Sequence, residues 1–97
     1  MACGGPPQGG HRDALPGQTL IQGVVQASGR PVAGAYVRLL DADGEFTAEV
    51  VSSAAGEFRF FAAPGSWTVR VLAVEGTGDC DVAAQTGAND ITVALPA

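Results

Sequence analysis

The feature that most constrains this chain is a pattern. Apolar side chains recur at every second position, in short runs cut by Gly, Pro and Asp-Gly. The clearest run is Trp67-Thr68-Val69-Arg70-Val71-Leu72-Ala73. Alternate residues of a strand share a face, so Trp67, Val69, Val71 and Ala73 are expected to point inward. A helix would need apolar positions three and four apart, and no such period is sustained beyond one turn.

The same reading assigns strands at residues 19–26, 35–41, 45–52, 57–61, 79–84 and 91–95. The expected inward sets are Ile21, Gly23 and Val25; Ala35, Val37 and Leu39; and Phe58 and Phe60. Gly23 has no side chain, which implies that something bulky covers it or that the strand bends there. Val50 and Val51 break the alternation, which predicts a bulge near Val51. Turns are expected at Ser28-Gly29-Arg30-Pro31, Ala42-Asp43-Gly44, Ala55-Gly56 and Ala63-Pro64-Gly65. Residues 75–78 and 85–90 read as further connections. Many short strands with frequent turn signals define an all-β chain, here a seven-stranded antiparallel β-sandwich over residues 18–97. Trp67, Phe58 and Phe60 are the expected aromatic core. Residues 1–17 are rich in Gly, Pro and Gln and read as a flexible N-terminal arm.

Charge narrows the partners. The net charge is −5, and all five basic residues are Arg, spread along the chain. An acidic chain with no basic cluster is not expected to bind nucleic acid or an anionic membrane. No apolar run approaches the ~18 residues of a membrane span. The N-terminal stretch lacks the apolar segment of a secretory signal, so the expected location is cytoplasmic. The two cysteines, Cys3 and Cys80, can pair, but in a reducing compartment two free thiols are expected.

No catalytic constellation emerges, and no metal or cofactor is expected. Cys3 on a mobile arm has the exposure that a sulfur-accepting thiol requires. Cys80, flanked by Asp79 and Asp81, reads as a small packing residue whose thiolate those charges disfavour. His11 is the only histidine, and it lacks the paired spacing of a zinc site or a partner set for a triad. Asp41-x-Asp43-Gly44-Glu45 superficially resembles a calcium loop but sits between strands, as a solvated hairpin turn does. Tyr36, Arg38 and Arg70, with Arg59, point away from the core by alternation. On neighbouring strands they would form a mildly basic face suited to an acidic partner or an anion such as thiosulfate. The tentative binding set is therefore Cys3, Tyr36, Arg38, Arg59 and Arg70.

The pattern Ile21-x-Gly23-x-Val25, Gly29-x-Pro31-Val32-x-Gly34-Ala35-x-Val37-x-Leu39, Gly56-x-Phe58-x-Phe60 and Pro64-Gly65-x-Trp67-x-Val69-x-Val71 resembles the carboxypeptidase-regulatory-domain-like, or transthyretin-like, sandwich. Trp67 stands where that family usually has Tyr. These modules mostly bind, scaffold or adhere. A purine-catabolism hydrolase of the same fold type needs several His and a C-terminal Tyr-Arg-Gly-Ser. This chain has one His and ends Val93-Ala94-Leu95-Pro96-Ala97, so that activity is excluded.

The segments Val37-Arg38-Leu39-Leu40-Asp41, Glu45-Phe46-Thr47-Ala48-Glu49-Val50-Val51 and Phe58 to Thr68 also resemble a small actinobacterial family of uncharacterised proteins. Its members are typically encoded beside a rhodanese-type thiosulfate sulfurtransferase and are associated with sulfur metabolism. That family usually begins Met-Cys, with Gln-Gly in a short arm. Here Cys3 follows Ala2, and Gln8-Gly9 lies nearby. The resemblance implies a non-enzymatic binding or accessory module with a sulfurtransferase partner. The alternatives are a persulfide carrier using Cys3 and a homo-oligomeric scaffold.

Overall fold

In the computed structural model, residues 13–96 and the backbone of Cys3–Gly4 are described. The strands in chain order are β1 (Cys3–Gly4), β2 (Thr19–Ala27), β3 (Arg30–Pro31), β4 (Tyr36–Leu40), β5 (Phe46–Val51), β6 (Glu57–Ala62), β7 (Gly65–Ala73), β8 (Gly76–Ala84) and β9 (Gly87–Leu95). Among the described residues there is no helix. The seven runs of alternating residues correspond to the seven longer strands. The two-residue strands β1 and β3 had no periodic signal to announce them.

Two sheets form the layers. One has the order β1-β9-β2-β3, with β6 also paired to β2, and the other has the order β5-β4-β7-β8. Most neighbours are antiparallel, but β2 and β9 run parallel, from Thr19 beside Gly87 to Ala27 beside Leu95. This corrects the all-antiparallel expectation. A hairpin forces antiparallel pairing, whereas β9 reaches β2 from the far end of the chain. Gly87 N–H donates to the Gln18 carbonyl at 2.7 Å, so the two strands start side by side. The Asn89 side chain bonds the carbonyls of Gln85 and Leu20, at 2.8 and 2.9 Å, and ties the β8–β9 turn to β2.

Ile21, Val25, Val37, Leu39, Val69, Val71 and Val93 are almost fully buried between the layers. Phe58 and Phe60 join them, with ring centroids 6.1 Å apart. Trp67 does not hold the centre. It is half-buried at the margin, and its indole N–H donates to the Ala63 carbonyl at 2.8 Å. An indole needs a partner for its N–H, and the β6–β7 connection supplies one at the end of the sandwich.

Gly23 is explained by backbone and not by a bulky side chain. A Cβ there would collide with the Ile91 carbonyl of β9. The register shift lies between Leu39 and Leu40, opposite Ala48 and Phe46, so the bulge falls at Thr47 and not near Val51. Val50 and Val51 keep the alternation after all: Val50 packs on the core, and Val51 is exposed.

Residues 76–78 and 87–90 are strand, where connections were expected. The β7–β8 ladder continues to Ala73 beside Gly76, leaving only Val74 and Glu75 as the turn. Regular cross-strand pairing here outweighs the local preference of Gly for loops. The expected arm lies largely outside the described residues. Within it, the backbone of Cys3 and Gly4 pairs antiparallel with Val93 and Thr92.

Ser52 locks the β4 entry. Its hydroxyl accepts from Ala35 N–H at 2.9 Å and donates to the Val32 carbonyl at 2.7 Å, both buried. Asp41 organises the β4–β5 turn. One carboxylate oxygen accepts the backbone N–H of Asp43 and of Glu45, each at 2.9 Å, and Gly44 takes a φ of 79°. That geometry is a hairpin turn with the Asp41 carboxylate turned onto its own backbone.

Candidate functional site

Alternation on β4 sends Val37 and Leu39 inward and leaves Tyr36 and Arg38 on the outer face. On β7 it does the same for Val69 and Val71 against Arg70 and Leu72. The ladder registers then align the outer residues across all four strands. Glu49 lies opposite Arg38, Arg38 opposite Arg70, and Arg70 opposite Asp79. Two arginines therefore sit side by side at the centre of the face, each with a carboxylate on the edge strand beside it. Arg38 Nε lies 2.8 Å from Glu49 Oε1. Arg70 donates Nε and Nη2 to the two oxygens of Asp79, at 3.0 and 3.4 Å. That hydrogen bond, and then the charge of Asp79, hold the Arg70 guanidinium above the ordinary arginine range. Like charges opposite each other disfavour a sheet, and the flanking carboxylates offset the cost. The row is electrically balanced and not basic.

The next row along the face is apolar. Tyr36 lies between Val51 and Leu72. Tyr36 and Val51 are 54% and 58% exposed, and Val74 at the β7–β8 tip is fully exposed. A shallow apolar depression runs from Gly34 past Tyr36 and Leu72 to Val74.

Arg59 is not part of this face. It sits on β6, in the other sheet, where its Nε donates to Gln22 Oε1 at 2.9 Å. Gln22 in turn donates Nε2 to Asp90 Oδ1 at 2.9 Å. Gln22 is only 2% exposed, so both ends of its amide are used inside the protein. The alternation put Arg59 outside correctly but gave no sign of which sheet it joins. Gln22 and Asp90 were not anticipated; Gln22, set between Ile21 and Gly23 in the buried part of β2, was the available signal.

The cysteines depart from expectation. Cys80 is 1% exposed and disulfide-bonded, so it is not a free packing thiol. Its neighbours Asp79 and Asp81 have their side chains on the outer face, bonded to Arg70 and Thr68. The Cys3 side chain and His11 lie outside the described residues. Among the described residues, no group of three His, Cys, Asp or Glu is placed to hold a metal ion. Among them there is also no helix long and apolar enough to cross a membrane.

A two-layer β-sandwich with one balanced, partly apolar outer face defines a small all-β protein with surface to present. Its family is one of proteins of unknown function, DUF1416, to which the chain belongs: the family pattern matches residues 3–95. Two uncharacterized proteins of Mycobacterium tuberculosis, Rv0814c and Rv3118, are each 57% identical over 84 residues, covering 82% of this chain and 84% of the relative. An uncharacterized protein of Mycolicibacterium smegmatis is 62% identical over 72 residues, covering 73% of this chain and 79% of its own.

Proposed function

We propose that this protein is a non-enzymatic binding module that engages a protein partner through the outer face of the β5-β4-β7-β8 sheet. The observation that carries this is the row of exposed Val51 and Tyr36 and half-buried Leu72, with exposed Val74 at its end, beside a charge-balanced row. Clustered exposed apolar residues rimmed by polar ones are the usual composition of a docking surface. Tyr and Arg are the residues that anchor such surfaces. Neutralised arginines add orientation without repelling either sign of charge.

The sequence resemblance supplies the partner, a rhodanese-type thiosulfate sulfurtransferase, and with it a role in sulfur metabolism on a carboxypeptidase-regulatory-domain-like sandwich. The Cys80 disulfide weighs against a cytoplasmic location. A persulfide-carrier role needs a free thiol at Cys3. A homo-oligomeric scaffold built on β5 meets the bulge at Thr47, a device that blunts edge pairing.

The test is calorimetric titration of the host's sulfurtransferase with this protein and with a Tyr36→Ser, Val74→Ser variant. The expected result is saturable binding that weakens by roughly tenfold or more in the variant. No binding by the natural protein removes the named partner, and undiminished binding by the variant moves the interface off this face.

A further inference from the structure

The Cys80 disulfide bears on the edge of the other sheet. Cys80 is buried in the core from β8 and is disulfide-bonded. The sequence holds one other cysteine, Cys3. Two backbone observations bring the two positions together. Cys3 lies opposite Val93 in the β1–β9 pairing, and Val93 is fully buried between the layers. Directly opposed residues of a ladder share a face, so position 3 belongs to the inner face of its sheet. β8, which carries Cys80 into the core from the second sheet, packs against both β9 and β1.

β1 is too short to hold its own place. It has two residues. The few backbone hydrogen bonds that two residues can make in water do not offset the entropy lost in ordering them. A covalent anchor changes that balance, because it keeps the segment beside β9 at a high effective concentration. Its position matters to the sheet. In the order β1-β9-β2-β3, β1 is the one strand outside β9 among the described residues. With β1 in place, Thr92 and Val93 are paired on both sides, to β2 and to β1. With β1 gone, β9 becomes the sheet edge, and an unpaired edge accepts another extended segment.

We propose that a Cys3–Cys80 disulfide is a redox clasp: oxidised, it holds β1 on β9; reduced, it releases β1 and opens the β9 edge to strand addition. The reductant is a dithiol. Its thiolate attacks the Cys3 sulfur, because Cys80 is buried, and Cys80 leaves as a thiolate and takes up a proton. The second thiol of the reductant then displaces Cys3 from the mixed disulfide, and Cys3 takes up a proton in turn. Two electrons and two protons pass to the protein, and the reductant ends as its own disulfide. This edge lies in the other sheet from the proposed docking face, so the two readings stand or fall separately.

The test compares the isotope-labelled full chain oxidised, reduced with dithiothreitol, and as a Cys80→Ala variant. Peptide mapping of the oxidised chain by mass spectrometry is expected to join Cys3 to Cys80 within a monomer. Nuclear Overhauser contacts between the backbones of Cys3–Gly4 and Thr92–Val93 are expected in the oxidised chain and lost in the other two samples. Contacts between β2 and β9, such as Gly23 to Ile91, are expected in all three and report that the sandwich remains folded. A Cys80 bond to a second chain, β1–β9 contacts that survive reduction or Cys80→Ala, or loss of the β2–β9 contacts together with them would each overturn the proposal.

Discussion

The central strands of the two sheets, β2 and β4, are built differently. Every residue of β2 from Thr19 to Val25 is buried. Ile21 and Val25 belong to the core between the layers, and Leu20, Gln22 and Val24 are buried on the opposite side. β4 is buried on the inner side through Val37 and Leu39, while on the other side Tyr36 is exposed and Arg38 half-exposed, with only Leu40 at its end buried. The composition follows the environment. β2 reads as a nearly continuous apolar run interrupted by Gln22, as two-sided burial demands, and β4 alternates, as one-sided burial demands. A strand buried on both faces has its side chains committed to folding, whereas the outer face of β4 is available to bind.

The largest effect expected from this contrast is at Gly23. Replacing it with Ala places a methyl where the Ile91 carbonyl already sits. Backbone on both sides leaves little room to relax, so the variant should lose more than about 4 kcal/mol and populate little folded protein in circular dichroism. Survival with a native melting curve would mean that β2 and β9 are not so closely paired. Next is a matched pair of outward positions. Leu20→Ala on β2 should cost about 2–5 kcal/mol in urea denaturation, and Tyr36→Ala on β4 no more than about 0.5 kcal/mol. Equal costs would erase the distinction between the strands.

Reduction of the Cys80 disulfide should cost about 2–5 kcal/mol. In unreduced, denatured protein Cys80 should not react with a thiol-alkylating reagent, as peptide mass spectrometry would show, and it should react after reduction. The smallest effect is on the balanced row. A double-mutant cycle of Arg38→Ala and Glu49→Ala should give about 0.2–1 kcal/mol of coupling, because both groups are open to solvent. Coupling well above that would make the row a structural element instead of part of a binding surface.

How far the sequence could be read follows from the range of each interaction. Val37, Leu39, Val69 and Val71 were legible because a period of two is local. So was the Asp43-Gly44 turn, and with it the hairpin that sets Arg38 near Glu49. Gly23 announced an obstruction but not its source, since Ile91 is remote in sequence. The same distance hid the parallel β2–β9 pairing and the assignment of Arg59 to the opposite sheet from Arg38 and Arg70. Trp67 was over-read as a core centre, because alternation gives the side a residue faces and not its depth. The disulfide at Cys80 was missed because the compartment, inferred from the N-terminal sequence, was allowed to decide the thiol state.

The central claim is that the exposed row on the four-stranded sheet contributes nothing essential to the fold. The most direct measurement is urea denaturation of a Tyr36→Ser, Val51→Thr, Val74→Ser triple variant beside the natural protein. The expected result is an unchanged slope and a stability within about 1 kcal/mol. A loss of more than about 3 kcal/mol would show that these side chains hold the sandwich together, and would contradict the account.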